Sequence, residues 1–276
     1  MRMEPFEFYK MTGGGNDFVI VDNRRGTLSL DEIRPLIPKI CRRRHSVGAD
    51  GFILIEPSPR AHFRWRFFNA DGSEAEMCGN GGRCVARLAH LLGIAPEELV
   101  FETAVGLVKA VVRGPRVKIW LPPPAEVGRD LRLELGADEV SLHFIDTGVP
   151  HAVVFVQDLE GVDVTGMGRK IRYHRSFRPA GTNVDFVKVE GEGHLRIRTY
   201  ERGVEDETLA CGTGAVAAAL VAHLRGLGSS PTTVVPRGDE PMQVYYRYEE
   251  GKFVEVALEG DVRLIYKGRI EEEALW

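Results

Sequence analysis

Met77-Cys78-Gly79-Asn80-Gly81-Gly82-Arg83-Cys84 and Ala210-Cys211-Gly212-Thr213-Gly214-Ala215 are two versions of one pattern. Each sets a cysteine and a Gly-x-Gly turn directly before an apolar helical stretch, Val85 to Gly93 in the first and Ala218 to Gly226 in the second. A thiol at a helix N-terminus meets unpaired backbone N–H groups and the positive end of the helix dipole, which favour the thiolate. The same N–H groups, approachable because glycine carries no side chain, can hold a carboxylate. Two such turns facing each other would form one carboxylate cradle with a thiol on either side. That geometry suits removal of a proton from one face of a carbon and return of a proton on the other, giving the mirror-image centre. A proton α to a carboxylate is held far more tightly than a thiolate can match, so the N–H groups must stabilise the developing enolate in a closed, dry site. No cofactor or metal is required for this. Partner groups must set the protonation of the thiols, and the candidates are His151 in Gly148-Val149-Pro150-His151 and Glu201 in Tyr200-Glu201-Arg202-Gly203.

The elements that position these turns come twice as well. Cys78 and Cys211 lie 133 positions apart, and the same offset relates Gly15 to Gly148, Gly48 to Gly181, Glu74 to Glu207, and Ala89-His90-Leu91 with Gly93 to Ala222-His223-Leu224 with Gly226. The simplest account is a duplicated domain whose copies share a fold, with the site in a cleft between them. In the first copy, Phe6 to Lys10 and Phe18 to Val21 read as strands around a tight glycine turn. Ser29 reads as the N-cap of a helix running to the basic residues before Gly48, shortened or kinked by Pro35 and Pro38. Phe52 to Ile55 and His62 to Phe68 read as strands, and Gly82 to Leu92 as a helix with apolar residues at Val85, Leu88, Ala89 and Leu92. Leu99 to Leu121 is strand-rich, and Pro122-Pro123-Pro124 ends it as a stiff linker. The expected domains are therefore 1–123 and 124 onward.

With 276 residues, two domains fit the usual range of roughly 100–200 residues each. A net charge of −4 offers no basic footprint for nucleic acid. The run Arg42-Arg43-Arg44 reads as a solvated helix end. No stretch approaches the ~20 apolar residues of a transmembrane helix, and the N-terminus lacks a secretory segment, so no membrane partner and a cytoplasmic location are expected. The four cysteines contain no C-x-x-C, which removes zinc-ribbon and thioredoxin-type readings. Cys41 and Cys84 have no counterpart at the repeat offset and read as small buried hydrophobes, while His90 and His223 read as packing or surface residues. Asn16, Asn69 and Asn183 sit in turns, where asparagine is common for backbone reasons. On these grounds a Cys78–His151 hydrolase and a small-ligand binding protein stay open beside the two-thiol reading.

Taken together, Gly13-Gly14-Gly15-Asn16-Asp17-Phe18, Asn69-Ala70-Asp71-Gly72-Ser73 leading to Cys78-Gly79-Asn80-Gly81, Gly181-Thr182-Asn183-Val184-Asp185-Phe186, and Tyr200-Glu201-Arg202-Gly203 leading to Ala210-Cys211-Gly212-Thr213-Gly214 resemble the diaminopimelate epimerase family. The resemblance covers both halves, with the motifs in family order. It implies an α/β (α+β) fold of two similar domains, each a curved mixed sheet around a central helix, with the last strand, 265–276, joining domain 1–123 and the second domain ending at 264. It further implies a cofactor-independent two-base epimerase that interconverts LL- and meso-diaminopimelate in lysine and peptidoglycan-precursor synthesis, acting as a homodimer. Carried over by position, Cys78 and Cys211 are the acid/base pair, assisted by His151 and Glu201. Gly79, Asn80, Gly212 and Thr213 bind the reacting carboxylate through backbone N–H groups. Asn16, Asn69, Asn183, Glu201 and Arg202 hold the distal amino-acid end, where the planar fork of Arg202 suits a carboxylate. Two positions depart from the family pattern: Val149 stands where many members carry asparagine, and the loop 203–208 is one residue longer than the commonest form. Proline racemases and hydroxyproline epimerases, which also use paired cysteines on this kind of duplicated fold, are the nearest rival.

Overall fold

The computed structural model describes residues 4–136 and 138–276. The chain divides into two compact units, one formed by the chain up to Ile119 and again by Gly260–Trp276, the other by Trp120–Glu259. The boundaries expected after 123 and after 264 lie a few residues further along the chain than these.

The first unit opens on strands Phe6–Gly13 (β1) and Asn16–Asp22 (β2), an antiparallel hairpin whose turn is Gly14 and Gly15 at φ 58° and 80°. A two-residue hairpin turn needs left-handed backbone at both central positions, which is why both are glycine. The single helix expected after Ser29 is broken into three: helix Leu30–Ile33 (α1), a 3-10 turn Arg34–Leu36, and helix Ile37–Ile40 (α2). Pro35 and Pro38 lack the N–H groups a continuous helix would use. The Ser29 hydroxyl donates to the Glu32 carboxylate at 2.6 Å instead of capping the backbone. Strands Gly51–Glu56 (β3), Phe63–Asn69 (β4) and Glu74–Ala75 (β5) lead to helix Gly79–Leu91 (α3), which starts three residues before the expected Gly82 because Cys78 serves as its N-cap. Strands Glu98–Thr103 (β6), Gly106–Arg113 (β7) and Arg116–Leu121 (β8) follow.

The second unit repeats the order. Strands Glu126–Leu135 (β9), Asp138–Asp146 (β10) and Pro150–Phe155 (β11) precede helix Val164–Arg172 (α4). Strands Asn183–Gly191 (β12), His194–Glu201 (β13) and Asp206–Thr208 (β14) lead to helix Gly212–Leu224 (α5), and Thr232–Pro236 (β15), Met242–Glu249 (β16) and the part of Lys252–Ile270 (β17) up to Glu259 complete it, the rest of β17 belonging to the first unit. In the first unit β2 and β3 pair in parallel, as do β4 and β6, and β17 pairs with both β1 and β8, which closes the sheet. In the second unit the parallel pairs are β11 with β12 and β13 with β15.

Each sheet packs against its central helix, α3 on β1, β2, β3 and β7, and α5 on strands from β10 to β16. A helix enclosed in this way has no solvent face. Accordingly Ala215, Val216, Ala217, Ala218, Ala219, Leu220, Val221 and Ala222 are all buried, and α3 buries Cys84, Val85, Ala86, Leu88 and Ala89. Both helices end on one device. Gly93 and Gly226 stand at φ 67° and 69°; their N–H groups reach His90 O and His223 O at 3.0 and 2.9 Å, and the next N–H reaches Ala89 O or Ala222 O at 2.8 Å. This is the Schellman arrangement. His90 and His223 are part of it, with Nδ1 at 3.3 Å from Ala95 O and 3.4 Å from Gly228 O.

A Cβ at Gly226 would meet nothing within 4 Å, so Gly226→Ala carries only the cost of left-handed backbone, about 1 kcal/mol. Leu220→Ala empties a fully buried site and costs about 2–5 kcal/mol. Urea unfolding measures both; equal costs, or the reverse order, would contradict this account of α5.

Candidate active site

In the first unit Cys78 caps α3 from extended backbone, φ −144° and ψ 116°. Its sulfur accepts from Gly81 N–H at 3.4 Å, and its carbonyl accepts from Gly82 N–H at 2.8 Å. Helix geometry then leaves the N–H groups of Gly79 and Asn80 at the open end. The Asn80 side chain is buried and spent within the protein: Nδ2 donates to Gly14 O at 3.1 Å and to Asn16 Oδ1 at 2.8 Å, and Oδ1 accepts from the buried Arg83 guanidinium. Asn80 therefore offers a ligand its backbone, not its amide.

Asn16 in turn donates to Asp50 Oδ2 at 3.1 Å. Asp50 and Asp17 both bind Arg43, and Lys10 Nζ lies 2.7 Å from Asp17 and also donates to Gly48 O. Burial works to raise the Asp17 carboxyl, but hydrogen bonds from Arg43 and Lys10 outweigh it and hold it down at about 2. Arg42, Arg43 and Arg44 are all exposed just past α2, as the run suggests, and Arg43 in addition pairs with Asp17 and Asp50 and so helps to fix Asn16. Burial pushes the Cys41 thiol up to about 12, in keeping with its reading as a small hydrophobe. Asn69, at the end of β4, donates its Nδ2 to Ser73 Oγ at 3.0 Å inside its own turn. A cavity of about 1230 Å³ between β1, β2 and α1 is lined by none of these candidate residues.

In the second unit Cys211 repeats the cap on α5, with Gly214 N–H on its sulfur at 3.4 Å and Ala215 N–H on its carbonyl at 2.9 Å. Gly212 and Thr213 occupy the places of Gly79 and Asn80. His151, fully buried at the start of β11, has Nδ1 2.6 Å from Asp185 Oδ2 and Nε2 3.0 Å from Thr213 Oγ1. Thr213 Oγ1 is also 3.4 Å from Cys211 Sγ. Asp185 Oδ1 accepts from Thr199 Oγ1 at 2.7 Å.

A thiolate favoured by the helix N-terminus is not what results at Cys211. Burial pushes its thiol well above the ordinary range, the charges of Glu201 and Asp185 add to this, and the hydrogen bonds from Thr213 and Gly214 only oppose it. Desolvation and two carboxylates outweigh the helix end, so Cys211 carries a proton at neutral pH.

Asn183 holds two backbone segments together, donating to Pro150 O at 3.2 Å and accepting from Arg202 N–H at 2.7 Å. Arg202 Nη1 reaches Ala180 O at 3.3 Å. The long loop after Glu201 is folded back on it: Glu205, at φ 60°, donates its N–H to Glu201 O at 2.8 Å. The Glu205 carboxylate accepts from Gly203 N–H, Tyr200 Oη and Arg172, which pins the turn that carries Glu201 and Arg202. Sequence reasoning passed over both Asp185 and Glu205. Asp185 had a signal, an acid set between the apolar residues Val184 and Phe186 of β12; Glu205 had none, since its partners are set by the fold. Among the described residues no group of three or more His, Cys, Asp or Glu is placed to hold a metal ion.

Solved structures share this duplicated architecture. A phenazine biosynthesis protein of the PhzF family from Bacillus anthracis superposes with a TM-score of 0.73 at 16% identity, over 98% of this chain and 100% of that one. A hydroxyproline epimerase from Agrobacterium vitis does so with a TM-score of 0.68 at 17% identity, over 98% and 94%. At such identities the likeness is one of fold, and it defines the class: the two-domain fold shared by PhzF proteins, racemases and epimerases.

Sequence comparison narrows the class. The family model for diaminopimelate epimerase matches residues 8–119 and 143–264. The diaminopimelate epimerase of Aquifex aeolicus (strain VF5) is 45% identical over 98% of this chain and 99% of its own length, and that of Chlorobaculum tepidum is 43% identical over 94% and 99%. The chain belongs to the diaminopimelate epimerase family and is an isomerase.

Because Asp17 is held at about 2 in the fold, below its ordinary value of 3.8, its ion pairs contribute stability that is complete above that ordinary value and is lost as pH falls through it towards 2. The urea midpoint should drop over that window, and Asp17→Asn, less stable at neutral pH, should show a flatter acid limb. An acid limb as steep in the variant as in the wild type would contradict the assignment.

Proposed function

We propose that the chain interconverts LL-2,6-diaminopimelate and meso-diaminopimelate, without a cofactor, through Cys78 and Cys211 acting on opposite faces of the reacting carbon, in the synthesis of lysine and peptidoglycan precursors. The observation that carries this reading is the doubled cap: two cysteines in one backbone conformation, each accepting a glycine N–H at 3.4 Å and each followed by two N–H groups left over by helix geometry. On this reading the N–H groups of Gly79, Asn80, Gly212 and Thr213 hold the reacting carboxylate and take up negative charge as the α-proton leaves. A cysteine that carries its proton is the form needed for delivery, and its partner is then the base; reversing the reaction exchanges the roles. His151 and Glu201 adjust the thiols, Glu201 through its charge beside Cys211. Asn16, Asn69, Asn183 and Arg202 hold the distal amino-acid end, with Arg202 pairing the second carboxylate that proline lacks. Membership of the family supports this substrate over proline. The same reading makes the enzyme a cytoplasmic homodimer, which light scattering checks.

Incubation with LL-diaminopimelate in D2O should place deuterium at the inverted α-carbon. Cys78→Ala and Cys211→Ala should each lower epimerisation by about a thousandfold or more. Exchange on proline alone would overturn the substrate, and full activity in Cys211→Ala with none in Cys78→Ala would overturn the two-thiol mechanism in favour of a hydrolase-type Cys–His site.

A further inference from the structure

His151 does not reach Cys211 directly; the Thr213 hydroxyl stands between them, 3.0 Å from His151 Nε2 and 3.4 Å from Cys211 Sγ. Behind the imidazole lies Asp185, which has no exposed surface and is fixed by the Thr199 hydroxyl. An ionised carboxylate can only accept, so its 2.6 Å contact puts a proton on His151 Nδ1 and leaves Nε2 free to accept from Thr213. With its own proton given to Nε2, the Thr213 oxygen has a lone pair turned to the thiol. Room for the carboxylate comes from Gly214, where a Cβ would stand 2.5 Å from Asp185 Oδ1.

We propose that Asp185, His151 and Thr213 form a buried relay serving Cys211, in which the Thr213 hydroxyl passes the proton between the thiol and His151 Nε2 and Asp185 is the positioning residue that keeps Nε2 able to accept it. The proposal rests on the reading of Cys211 as one of the two acid/base groups. In the step itself the S–H bond of Cys211 breaks as its proton goes to Thr213 Oγ1, and the O–H bond of Thr213 breaks as that proton goes to Nε2. One O–H and one N–H bond form, leaving a thiolate, an intact hydroxyl and an imidazolium that faces the Asp185 carboxylate. The reverse step returns the proton. The geometry accounts for how a thiol that burial keeps protonated becomes a base when the reaction runs in the direction that needs it. It also gives the Thr213 side chain a task separate from that of its backbone N–H, which every residue type but proline shares.

The test uses the full chain and the variants Thr213→Val, Thr213→Ser and Asp185→Asn, with kcat and KM for diaminopimelate in both directions. It adds the pH dependence of Cys211 alkylation by iodoacetamide, followed by peptide mass spectrometry. Thr213→Val keeps the backbone N–H and the volume, so KM should hold while kcat falls about a hundredfold; Thr213→Ser should recover most of the rate. Asp185→Asn lets the amide donate to Nδ1, so kcat should fall about tenfold or more with KM unchanged. Yet alkylation of Cys211 should move to lower pH in that variant, because one of the two negative charges beside the thiol is gone, and to higher pH in Thr213→Val, which loses a hydrogen bond to the sulfur. A merely structural role predicts no such opposed pair. A Thr213→Val enzyme with wild-type kcat, a Thr213→Ser enzyme as slow as Thr213→Val, or an Asp185→Asn enzyme with unchanged kcat would overturn the relay while leaving the epimerase reading intact. Should Asp185→Asn fail to fold, the Val and Ser pair decides. Wild-type protein that exchanges no α-proton of diaminopimelate, or a Cys211→Ala variant of full activity, would instead overturn the functional reading beneath it.

Discussion

A helix packed inside a curved sheet must satisfy whatever polar side chains it buries, and the backbone groups at its two ends must find partners within the chain or in a ligand. That accounting shapes both units. At the C-terminal ends of α3 and α5 it is closed by the chain alone, through a left-handed glycine, two reversed hydrogen bonds and a histidine ring nitrogen. At the N-terminal ends the cysteine answers for two N–H groups, one through its sulfur and one through its carbonyl. Two N–H groups per helix remain, beside a sulfur atom. The proposed chemistry uses what the helix leaves over.

Around this shared frame the two units have diverged. Beside Cys78 the polar neighbours form a chain of amides and ions, Arg83 to Asn80 to Asn16 to Asp50 and Arg43, which fixes side-chain orientation. Beside Cys211 they form an acid, an imidazole and a hydroxyl, which can move a proton. The divergence reaches the backbone. Thr12 pairs with Asp17 in the first unit, while Ile145, 133 positions on, pairs with His151 in the second. The turn from Thr147 to Val149 holds one residue more than the Gly14-Gly15 turn, and in a strand a slip of one residue exchanges the two faces. By pairing, His151 occupies the place that Asp17 holds in the first unit, where the ungapped repeat would have put the counterpart of Phe18.

This is also where the sequence stops being legible. Features set by a few neighbouring residues were readable: the glycine hairpin, the cysteine before the Gly-x-Gly turn, the all-apolar α5, and prolines that break the helix after Ser29. The repeat at one offset anticipated two similar folds, and the family motifs anticipated the epimerase class. What escaped depends on partners far along the chain. The ion pairs of the exposed Arg43 escaped because Asp17, 26 positions earlier, is invisible as a partner until β2 and the loop before β3 meet. The protonation of Cys211 escaped because its total burial and the charges of Glu201 and Asp185 arrive from separate strands. The local argument from the helix end has the right sign for its own contribution, since the Gly214 N–H lowers the thiol, but burial and two carboxylates outweigh it.

The same divergence bears on how a duplicated site can perform an exchange of protons. For a two-base reaction one sulfur must start with a proton and the other without. Identical surroundings would give both sulfurs the same state, and a site holding two thiols or two thiolates lacks either its base or its acid. Duplication supplies one backbone cap in each unit, with its sulfur and its pair of N–H groups; it cannot supply the difference between them. In this chain the difference is physical and local. Cys211 is fully enclosed beside the carboxylates of Glu201 and Asp185, which push its thiol up, whereas Cys78 is only half-buried. The polar residues that break the symmetry of the repeat thus matter to the proposed reaction as much as the cysteines that express it.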